Sequence, residues 1–242
     1  MKIFEPSTFG ELYAEDYDAL HDPGTTDEAV KLLAGLSGNG RVLELAIGTG
    51  RIALPLANCG LDVHGIDGSP EMVEKMRLKA GGDSIPVSIG DYAEVEVEGV
   101  FELVFLVFNT LFNLRSQEDQ IRCFANVAEH LSEDGVFLVE TFVPDVAQFD
   151  DDQYLRTQQV GFEVARLDAA VHDPVRQVIE YQRVHISSDG IRMNPLVMRY
   201  AWPTEIDLMA RLAGLELKDR WGDWNRSPFT RTSKMHVSVY GK

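Results

Sequence analysis

The order of hydrophobic and polar positions between residues 41 and 143 predicts a mixed α/β fold. Short, nearly continuous apolar runs are typical of buried parallel strands, and they occupy residues 41–46, 61–66, 85–89, 101–107 and 135–143. Longer stretches repeat their apolar residues at helical spacing, and they occupy residues 27–36, 51–59, 70–80 and 117–131. Strands that alternate with helices indicate right-handed crossovers and a parallel, doubly wound sheet.

The pattern changes after Pro144. Residues 160–200 contain three runs rich in Val, Ile and Tyr, with turn signals at Asp173-Pro174 and Ser188-Asp189-Gly190. Such runs predict an inserted antiparallel sheet. A helix at 204–213 and strands near 215–222 and 235–240 are then expected to return the chain to the first sheet.

The length of the chain limits the number of domains, and its net charge limits the kinds of partner it can bind. A chain of 242 residues with 45% hydrophobic content suits one α/β domain that carries an insertion. With 22 basic against 39 acidic residues the formal charge is −17, which repels nucleic acid and anionic lipid. Neither a nucleic-acid partner nor a membrane partner is therefore expected.

The cysteines and the termini predict a soluble protein of the cytoplasm. Cys59 and Cys123 are far apart in apolar helical contexts, so we expect small buried side chains and no disulfide. The start of the chain lacks the apolar run of a signal peptide, and no segment approaches a span of about 20 apolar residues. No set of His, Cys and carboxylate residues predicts a metal site.

The strand at 41–46 carries one carboxylate, Glu44, and leads directly into Gly48-Thr49-Gly50. These glycines permit a tight turn and a close approach of the backbone to a ligand at a helix N-terminus. Their spacing to Ala53 also fits a dinucleotide-binding turn, which leaves NAD as an alternative. An unpaired buried carboxylate is disfavoured, so the site is expected to raise its pKa or supply positive charge. A cationic nucleoside meets that need, whereas a pyrophosphate gains nothing from an anion.

Four segments resemble the motifs of class I S-adenosylmethionine-dependent methyltransferases, and they occur in the family's order: ELAIGTGR at 44–51, GID at 65–67, GDY at 90–92 and FNTLFN at 108–113. More loosely, residues 203–215 and 228–233 are similar to bacterial small-molecule and peptide N-methyltransferases of the cypemycin and amino-sugar type. The resemblance implies a Rossmann-like sheet of seven strands, with S-adenosylmethionine as methyl donor and S-adenosylhomocysteine as product. We accordingly divide the chain into a lid at 1–24, a donor-binding core at 25–144, an acceptor-side β insertion at 145–202, and a C-terminal helix and hairpin at 203–242.

Ligands of open α/β sheets bind beyond the carboxyl ends of the strands, where the candidate residues lie. Asp67 is expected to accept hydrogen bonds from the ribose hydroxyls, and the resemblance implies that Asp91 accepts the adenine amino group. Asn109 and Tyr17 are the candidate catalytic residues, as groups that orient donor or acceptor. The predicted donor-binding residues are Tyr13, Tyr17, Glu44, Ala46, Gly48, Gly50, Arg51, Asp67, Gly68, Met72, Gly90, Asp91, Tyr92, Phe108 and Asn109.

Several of these residues also fit roles without a ligand. Met72 is compatible with ordinary core packing, and Tyr13 and Tyr17 with packing of an amphipathic lid. Arg51 fits the surface as well as a pairing with the donor carboxylate, and Asn109 fits a turn.

Three tryptophans are candidates for the acceptor pocket. Trp221 and Trp224 belong to an aromatic-rich segment past a strand end, and Trp202 lies at the end of the insertion. Aromatic side chains in loops near a site favour a substrate pocket. Core or interface packing is the alternative.

Methyl transfer from a sulfonium is an in-line displacement with an activated leaving group, so positioning alone supplies much of the catalysis. A hydroxyl acceptor calls for a base, and the sequence shows no convincing His–Asp pair. N-methylation of a small-molecule or peptide-terminal acceptor is therefore preferred to O-methylation, by a monomer or homodimer. An NAD(P)-dependent oxidoreductase and a non-catalytic nucleoside sensor are the alternatives.

Overall fold

The computed structural model describes residues 17–20, 23–94 and 97–242, so the predicted lid tyrosine Tyr13 lies outside the described residues. A short helix, α1 (Tyr17–Leu20), precedes the core. The core helices are α2 (Thr26–Ser37), α3 (Ala53–Asn58), α4 (Pro70–Arg77), α5 (Gln117–His130) and α6 (Pro203–Leu212). Each core helix overlaps a helix that the apolar spacing predicts.

A seven-stranded sheet forms the centre of the molecule, as predicted. Its strands are β1 (Val42–Leu45), β2 (Val63–Asp67), β3 (Val87–Ile89), β4 (Phe101–Leu106), β5 (Leu131–Phe142), β10 (Glu216–Trp221) and β11 (Met235–Gly241). Their order across the sheet is β10-β11-β5-β4-β1-β2-β3. The pairs among β1 to β5 are parallel, whereas β11 is antiparallel to both of its neighbours. The order reverses between β1 and β4, which is where an open sheet forms its ligand crevice.

A second, antiparallel sheet contains four strands where the sequence pattern predicts three. They are β6 (Gln153–Val160), β7 (Val164–Asp173), β8 (Val178–Ser187) and β9 (Gly190–Arg199), paired in chain order. The three-run prediction is wrong about β6. Most side chains of β6 are exposed and polar, so this edge strand has no apolar alternation to reveal it.

Two apolar clusters cover the two faces of the central sheet. One joins β-strand residues such as Leu43 and Val104 to α5, α6 and the base of the antiparallel sheet. The other joins Val42 and Phe105 to α2, α3 and α4. Alternate residues of the same strand therefore enter different clusters, as burial on both faces requires.

A buried polar network attaches the antiparallel sheet to the core. Arg199, at the end of β9, donates to Gln120 of α5 at 2.5 Å and pairs with Glu205 of α6 at 2.7 Å. Gln120 in turn donates to the Arg199 carbonyl at 2.9 Å. Since buried pairs with a fixed geometry resist displacement, the network fixes the sheet beside the crevice.

The two cysteines differ in their surroundings. Cys123 is buried in α5, as expected, and burial raises the pKa of its thiol to about 12. Cys59 is exposed at the end of α3, so the prediction of burial is wrong for this residue. Both thiols are free, and none of the described helices has the length and apolar character needed to cross a bilayer.

His236 is a fully buried histidine in β11 with partners on both ring nitrogens. Its Nε2 lies 2.9 Å from the Thr141 hydroxyl and its Nδ1 lies 2.8 Å from the Ser238 hydroxyl. Burial lowers the pKa of His236 from 6.5 to about 3, and nearby Arg220 acts in the same direction. The ring is therefore a neutral core side chain rather than a general base.

The depressed pKa of His236 makes stability depend on pH. The unfolded chain takes up a proton near pH 6.5 and the folded chain only near pH 3, so the free energy of unfolding falls as pH drops between these values. Between pH 7.5 and 5.5 this group contributes a loss of about 1.4 kcal/mol. Urea unfolding at both pH values checks this: His236→Gln should show a correspondingly smaller loss than the wild type. Equal losses in the two proteins would contradict the prediction.

Candidate functional site

A cavity of about 350 Å³ lies at the carboxyl ends of β1, β2, β3 and β4. Ten of the residues predicted from the sequence line it: Tyr17, Ala46, Gly48, Asp67, Gly68, Met72, Asp91, Tyr92, Phe108 and Asn109. Four strand ends thus place their exit residues around one space, as the topology requires.

The turn after β1 combines left-handed backbone with close packing. Ala46 has φ 56°, Gly48 φ 56° and Gly50 φ 77°. A side chain at Gly50 would place its Cβ 2.6 Å from Met76 Cγ, so this glycine lets the turn pack against α4. Gly48 instead lines the cavity, where only a small residue lets the backbone approach a ligand. A non-glycine residue in the left-handed region costs stability, so Ala46 marks a backbone held in place by its surroundings.

Glu44 is buried within β1, and its Oε2 has no hydrogen-bond partner in the described structure. Burial raises the pKa of Glu44 well above its usual 4.5. The nearby Arg51 and the Ala53 backbone N–H, at the start of α3, act in the opposite direction. Both outcomes predicted for a buried carboxylate are therefore present, a raised pKa and an adjacent positive charge. Glu44 lies behind the glycine turn and is not among the cavity-lining residues.

Asp67, the last residue of β2, is fixed by backbone donors. The Gly48 N–H donates to Oδ2 at 2.7 Å and the Ser69 N–H donates to Oδ1 at 2.8 Å. Its pKa is raised by burial, against the effect of these two hydrogen bonds. The capping of α4 belongs to Ser69, whose hydroxyl accepts from the Met72 N–H at 3.2 Å. Asp67 is thus free of that role and presents its carboxylate to the cavity.

The exit of β3 supplies a carboxylate and a phenol. Asp91 lines the cavity, and its Oδ1 accepts from the Ala93 N–H at 2.8 Å, which stabilises the turn. Tyr92 donates to the Thr110 carbonyl at 3.1 Å, and burial raises its pKa well above 10.0. The Tyr92 phenol is therefore protonated, and its hydrogen bond connects the segment after β3 to the segment after β4 in the cavity wall.

The segment that follows β4 has a strained backbone and is hydrogen-bonded to β5. Phe108 and Asn109 are left-handed, with φ 59° and 63°, and the Phe108 N–H donates to the buried carboxylate of Glu140. The Asn109 side-chain oxygen accepts from the Phe142 N–H at 2.5 Å. This hydrogen bond fixes the side-chain oxygen of Asn109 to the backbone, which leaves its NH₂ group as the part that can face a ligand.

Helix α1 is attached to the glycine turn through Asp18. The Thr49 hydroxyl donates to Asp18 Oδ1 at 2.6 Å, and Lys79 Nζ lies 2.5 Å from Oδ2. This attachment places Tyr17 on the cavity wall. Burial raises the pKa of Tyr17 to about 12, although Arg51 acts in the opposite direction. The phenol is therefore protonated at neutral pH and suited to donate a hydrogen bond.

Some predicted residues lie beside the cavity without lining it. Arg51 donates to the Thr26 hydroxyl at 3.0 Å, and its guanidinium lies 5.2 Å from the centre of the Phe108 ring. Gly50 serves the packing of the turn, and Gly90 donates its N–H to the Asp67 carbonyl at 2.9 Å. Gly50, Arg51, Gly90 and Glu44 therefore adjoin residues of the cavity wall without lining the cavity themselves.

The three tryptophans lie elsewhere. Trp224 is buried in the cluster that covers the α2, α3 and α4 face, and Trp221 packs against the same cluster. Trp202 precedes α6, with its ring 6.1 Å from that of Tyr200. None of them is among the described residues of the cavity wall.

The sequence reasoning missed the other half of the wall. These lining residues belong to the segment after β4, to α5 and to the antiparallel sheet: Thr110, Asn113, Leu114, Arg115, Asp119, Arg183, Leu196 and Met198. Thr110 and Asn113 lie within the motif at 108–113, and Leu114 and Arg115 follow it directly, so the sequence offered a local signal for these four residues. Arg183, Leu196 and Met198 reach the cavity only through the packing of a sheet more than 60 residues further along, for which the sequence gives no local signal.

Comparison with known proteins agrees with this geometry. Residues 42–135 match a family model described as a methyltransferase domain. The solved CcbJ methyltransferase from Streptomyces caelestis is 36% identical, with 98% of this chain and 99% of that chain covered and a TM-score of 0.93. The cypemycin N-terminal methyltransferase of a Streptomyces species is 28% identical over 97% of this chain and 98% of its own length.

More distant structures show the same fold. CalS10, an amino pentose methyltransferase from Micromonospora echinaspora solved with bound S-adenosylmethionine, is 22% identical. It has a TM-score of 0.66, and 89% of each chain is covered. The family model and the CcbJ methyltransferase confirm the predicted resemblance and, with the family, the predicted methyl donor, so the oxidoreductase alternative is set aside.

The raised pKa of Glu44 predicts that this residue destabilises the ligand-free protein. The unfolded chain loses the proton near pH 4.5 and the folded chain only at higher pH, so stability falls as pH rises through this interval. Glu44→Gln keeps an acceptor for Ala53 and removes the charge. It should raise the free energy of unfolding at pH 8 by about 1–3 kcal/mol, and by less at pH 5.

Urea unfolding without ligand at the two pH values measures this difference. Glu216→Gln, at an exposed carboxylate of β10, is the matched control and should change neither value. If Glu44→Gln is no more stable than the wild type at pH 8, the buried carboxylate does not destabilise the folded protein, and the prediction is wrong.

Proposed function

Because the chain belongs to the class I S-adenosylmethionine-dependent methyltransferases, we propose that it transfers a methyl group to a nitrogen of a small natural product or a peptide terminus. The observation that carries the proposal is the cavity at the ends of β1 to β4. One half of it is built from the glycine turn, Asp67 and Asp91, and the other from the segment after β4, the start of α5 and the antiparallel sheet.

The residues of the first half fit the methyl donor. Asp67 can still accept a hydrogen bond from a ribose hydroxyl, and Asp91 can accept one from the adenine amino group. Met72 packs beside Gly48. Glu44 has a buried oxygen without a partner just behind the turn, which favours a ligand that brings a positive charge. Arg51 and Glu140 then act through their neighbours, by supporting Phe108 from its two sides.

When bound, S-adenosylmethionine supplies an activated methyl group on a sulfonium. The chain's own contribution is positioning: Tyr17 and the NH₂ group of Asn109 donate hydrogen bonds that orient donor or acceptor, and Phe108 and Leu196 exclude water. Holding two reactants in line in this way supplies on the order of 7–11 kcal/mol. The strained backbone at Phe108 and Asn109 is consistent with such a positioning role.

A nitrogen acceptor is favoured by the side chains of the wall. No histidine occurs among the described residues that line the cavity, and the phenols of Tyr17 and Tyr92 remain protonated. A neutral amine needs no base to attack, whereas a hydroxyl does. Two of the similar proteins are described as a peptide N-terminal methyltransferase and an amino pentose methyltransferase. We extend the proposal to an enzyme of the cytoplasm that works as a monomer or homodimer.

Transfer of labelled methyl groups tests the proposal. Peptides with a free N-terminus and amino sugars should accept label, whereas the N-acetylated peptides and the corresponding neutral sugars should not. Asp67→Asn should weaken S-adenosylhomocysteine binding about 10–100-fold, as expected for the loss of a charge-assisted hydrogen bond. Calorimetric titration measures the affinity.

The matched control is Asp219→Asn, at an exposed carboxylate of β10, which should bind as tightly as the wild type. Labelling of hydroxyl compounds alone would reject the nitrogen preference. Donor binding without transfer to any acceptor would instead identify a nucleoside sensor.

A further inference from the structure

Asn113 brings an unpaired, buried oxygen to the cavity wall. The residue lines the cavity, and its Oδ1 has no hydrogen-bond partner in the part of the chain that the structure describes. Buried side-chain oxygens nearly always accept a hydrogen bond, because an unpaired one has lost its bonds to water without replacement. An oxygen left unpaired in the wall of a binding cavity is therefore a position where a ligand can supply the donor.

Asn113 lies on the cavity side of a short 3₁₀ helix. This helix begins at Thr110, directly after Asn109, and ends at Asn113. Residues three apart lie on the same side of such a helix, and Thr110 and Asn113 both line the cavity, whereas the two residues between them are fully buried. The Thr110 hydroxyl already donates to the Val107 carbonyl at 2.7 Å. The amide oxygen of Asn113 is therefore an acceptor that this side of the helix can offer to a ligand.

A buried glutamine fixes the segment around Asn113. The side-chain NH₂ group of Gln120 lies 3.1 Å from the Leu111 carbonyl and 3.2 Å from the Leu114 carbonyl, so it holds residues on both sides of Asn113. The same group donates to the Arg199 carbonyl, at the end of β9, at 2.9 Å. Because a segment held in this way loses little freedom when a ligand binds, Asn113 is preorganised for the contact.

Asn113 belongs to the half of the cavity where the proposed function places the acceptor. The 3₁₀ helix packs against β9, and Leu196 and Met198 of β9 line the same cavity. Asp67 and Asp91, the carboxylates proposed for the ribose and the adenine, lie instead at the exits of β2 and β3. The position of Asn113 therefore favours a group of the acceptor over a group of the donor.

We propose that the Oδ1 of Asn113 accepts a hydrogen bond from an N–H of the amine that is methylated. The inference rests on the proposed methyltransferase function and narrows its substrate class. The reacting nitrogen must carry at least one hydrogen, as it does in a primary or secondary amine.

This hydrogen bond strengthens during methyl transfer. The nitrogen lone pair forms the new N–C bond while the electrons of the C–S bond go to sulfur, so positive charge develops on the nitrogen. An amide oxygen that already accepts from this nitrogen stabilises the charge more in the transition state than in the ground state. The extra proton of the ammonium product leaves to water, and Asn113 takes up no proton.

Two matched pairs of probes test the contact by calorimetry on protein saturated with S-adenosylhomocysteine. They are Ala-Ala-Ala and glucosamine, each compared with its N,N-dimethyl derivative, whose neutral nitrogen has no N–H. The titrations are made at pH 9, where an amine with a pKa of about 8 is mostly neutral. In at least one pair the wild type should bind the member with the N–H about tenfold tighter.

Substitutions assign this preference to Asn113. Asn113→Leu and the smaller Asn113→Ala should each reduce it at least threefold and leave the affinity for S-adenosylhomocysteine unchanged. Asn225→Leu, at an exposed position between β10 and β11, is the matched control and should keep the preference. A preference that survives both Asn113 substitutions, equal binding within both pairs, or no binding of either N–H probe would overturn the proposal.

Thermal unfolding checks the premise that the oxygen is unpaired. Asn113→Leu replaces a buried polar group by an apolar group of similar shape, so the unfolding midpoint of the ligand-free variant should equal or exceed that of the wild type. Midpoints well below the wild type in both the Leu and the Ala variant would show that the oxygen has a partner inside the protein, which would also overturn the proposal.

Methyl transfer separates this inference from the function beneath it. With the probe that accepts label, Asn113→Leu should lower kcat severalfold as well as raise KM, because the contact is strongest in the transition state. Transfer by Asn113→Leu and Asn113→Ala at the wild-type kcat and KM would reject the contact and keep the methyltransferase. An N–H preference that depends on Asn113, without transfer to any amine, would keep the contact and reject the function.

Discussion

A carboxylate enclosed in β1, an inner strand of the seven-stranded sheet, constrains the rest of the site. Glu44 lies between β2 and β4, opposite Gly65 and Phe105, and its Oε2 has no hydrogen-bond partner in the described structure. Its surroundings compensate only in part, through Arg51 and the first N–H of α3. We infer that the ammonium group of the methyl donor supplies the remainder, so a group that costs stability in the free protein contributes binding energy in the complex.

The two halves of the cavity follow from different physical requirements. The half at the strand ends, where we propose that the donor binds, is shaped by backbone: the left-handed residues Ala46, Phe108 and Asn109 and the N–H groups that hold Asp67 fix its form. The other half combines the segment after β4 and the start of α5 with side chains of the antiparallel sheet, which the buried Arg199 network attaches to the core. Under the proposed function, changes in that sheet would alter the acceptor without disturbing the donor, which is consistent with the different acceptors in the names of the similar proteins.

The sequence was sufficient to predict the central sheet and the residues that line the cavity at the strand ends, because both have local signals in the sequence. Strand apolarity, the glycine turn and the carboxylates at Asp67 and Asp91 all lie within a few residues of the structure they predict. Non-local contacts explain the failures. The exposed edge strand β6 has no apolar alternation, Trp224 is buried by a cluster from the opposite face, and Arg183 reaches the cavity only through strand register.

The most direct test of the account is the role of Glu44 in donor binding, measured by titrating wild type and Glu44→Gln with S-adenosylhomocysteine at pH 7. If the ligand's ammonium group satisfies the carboxylate, the wild type should bind at least tenfold tighter than Glu44→Gln. Equal affinity of the two proteins would contradict the account.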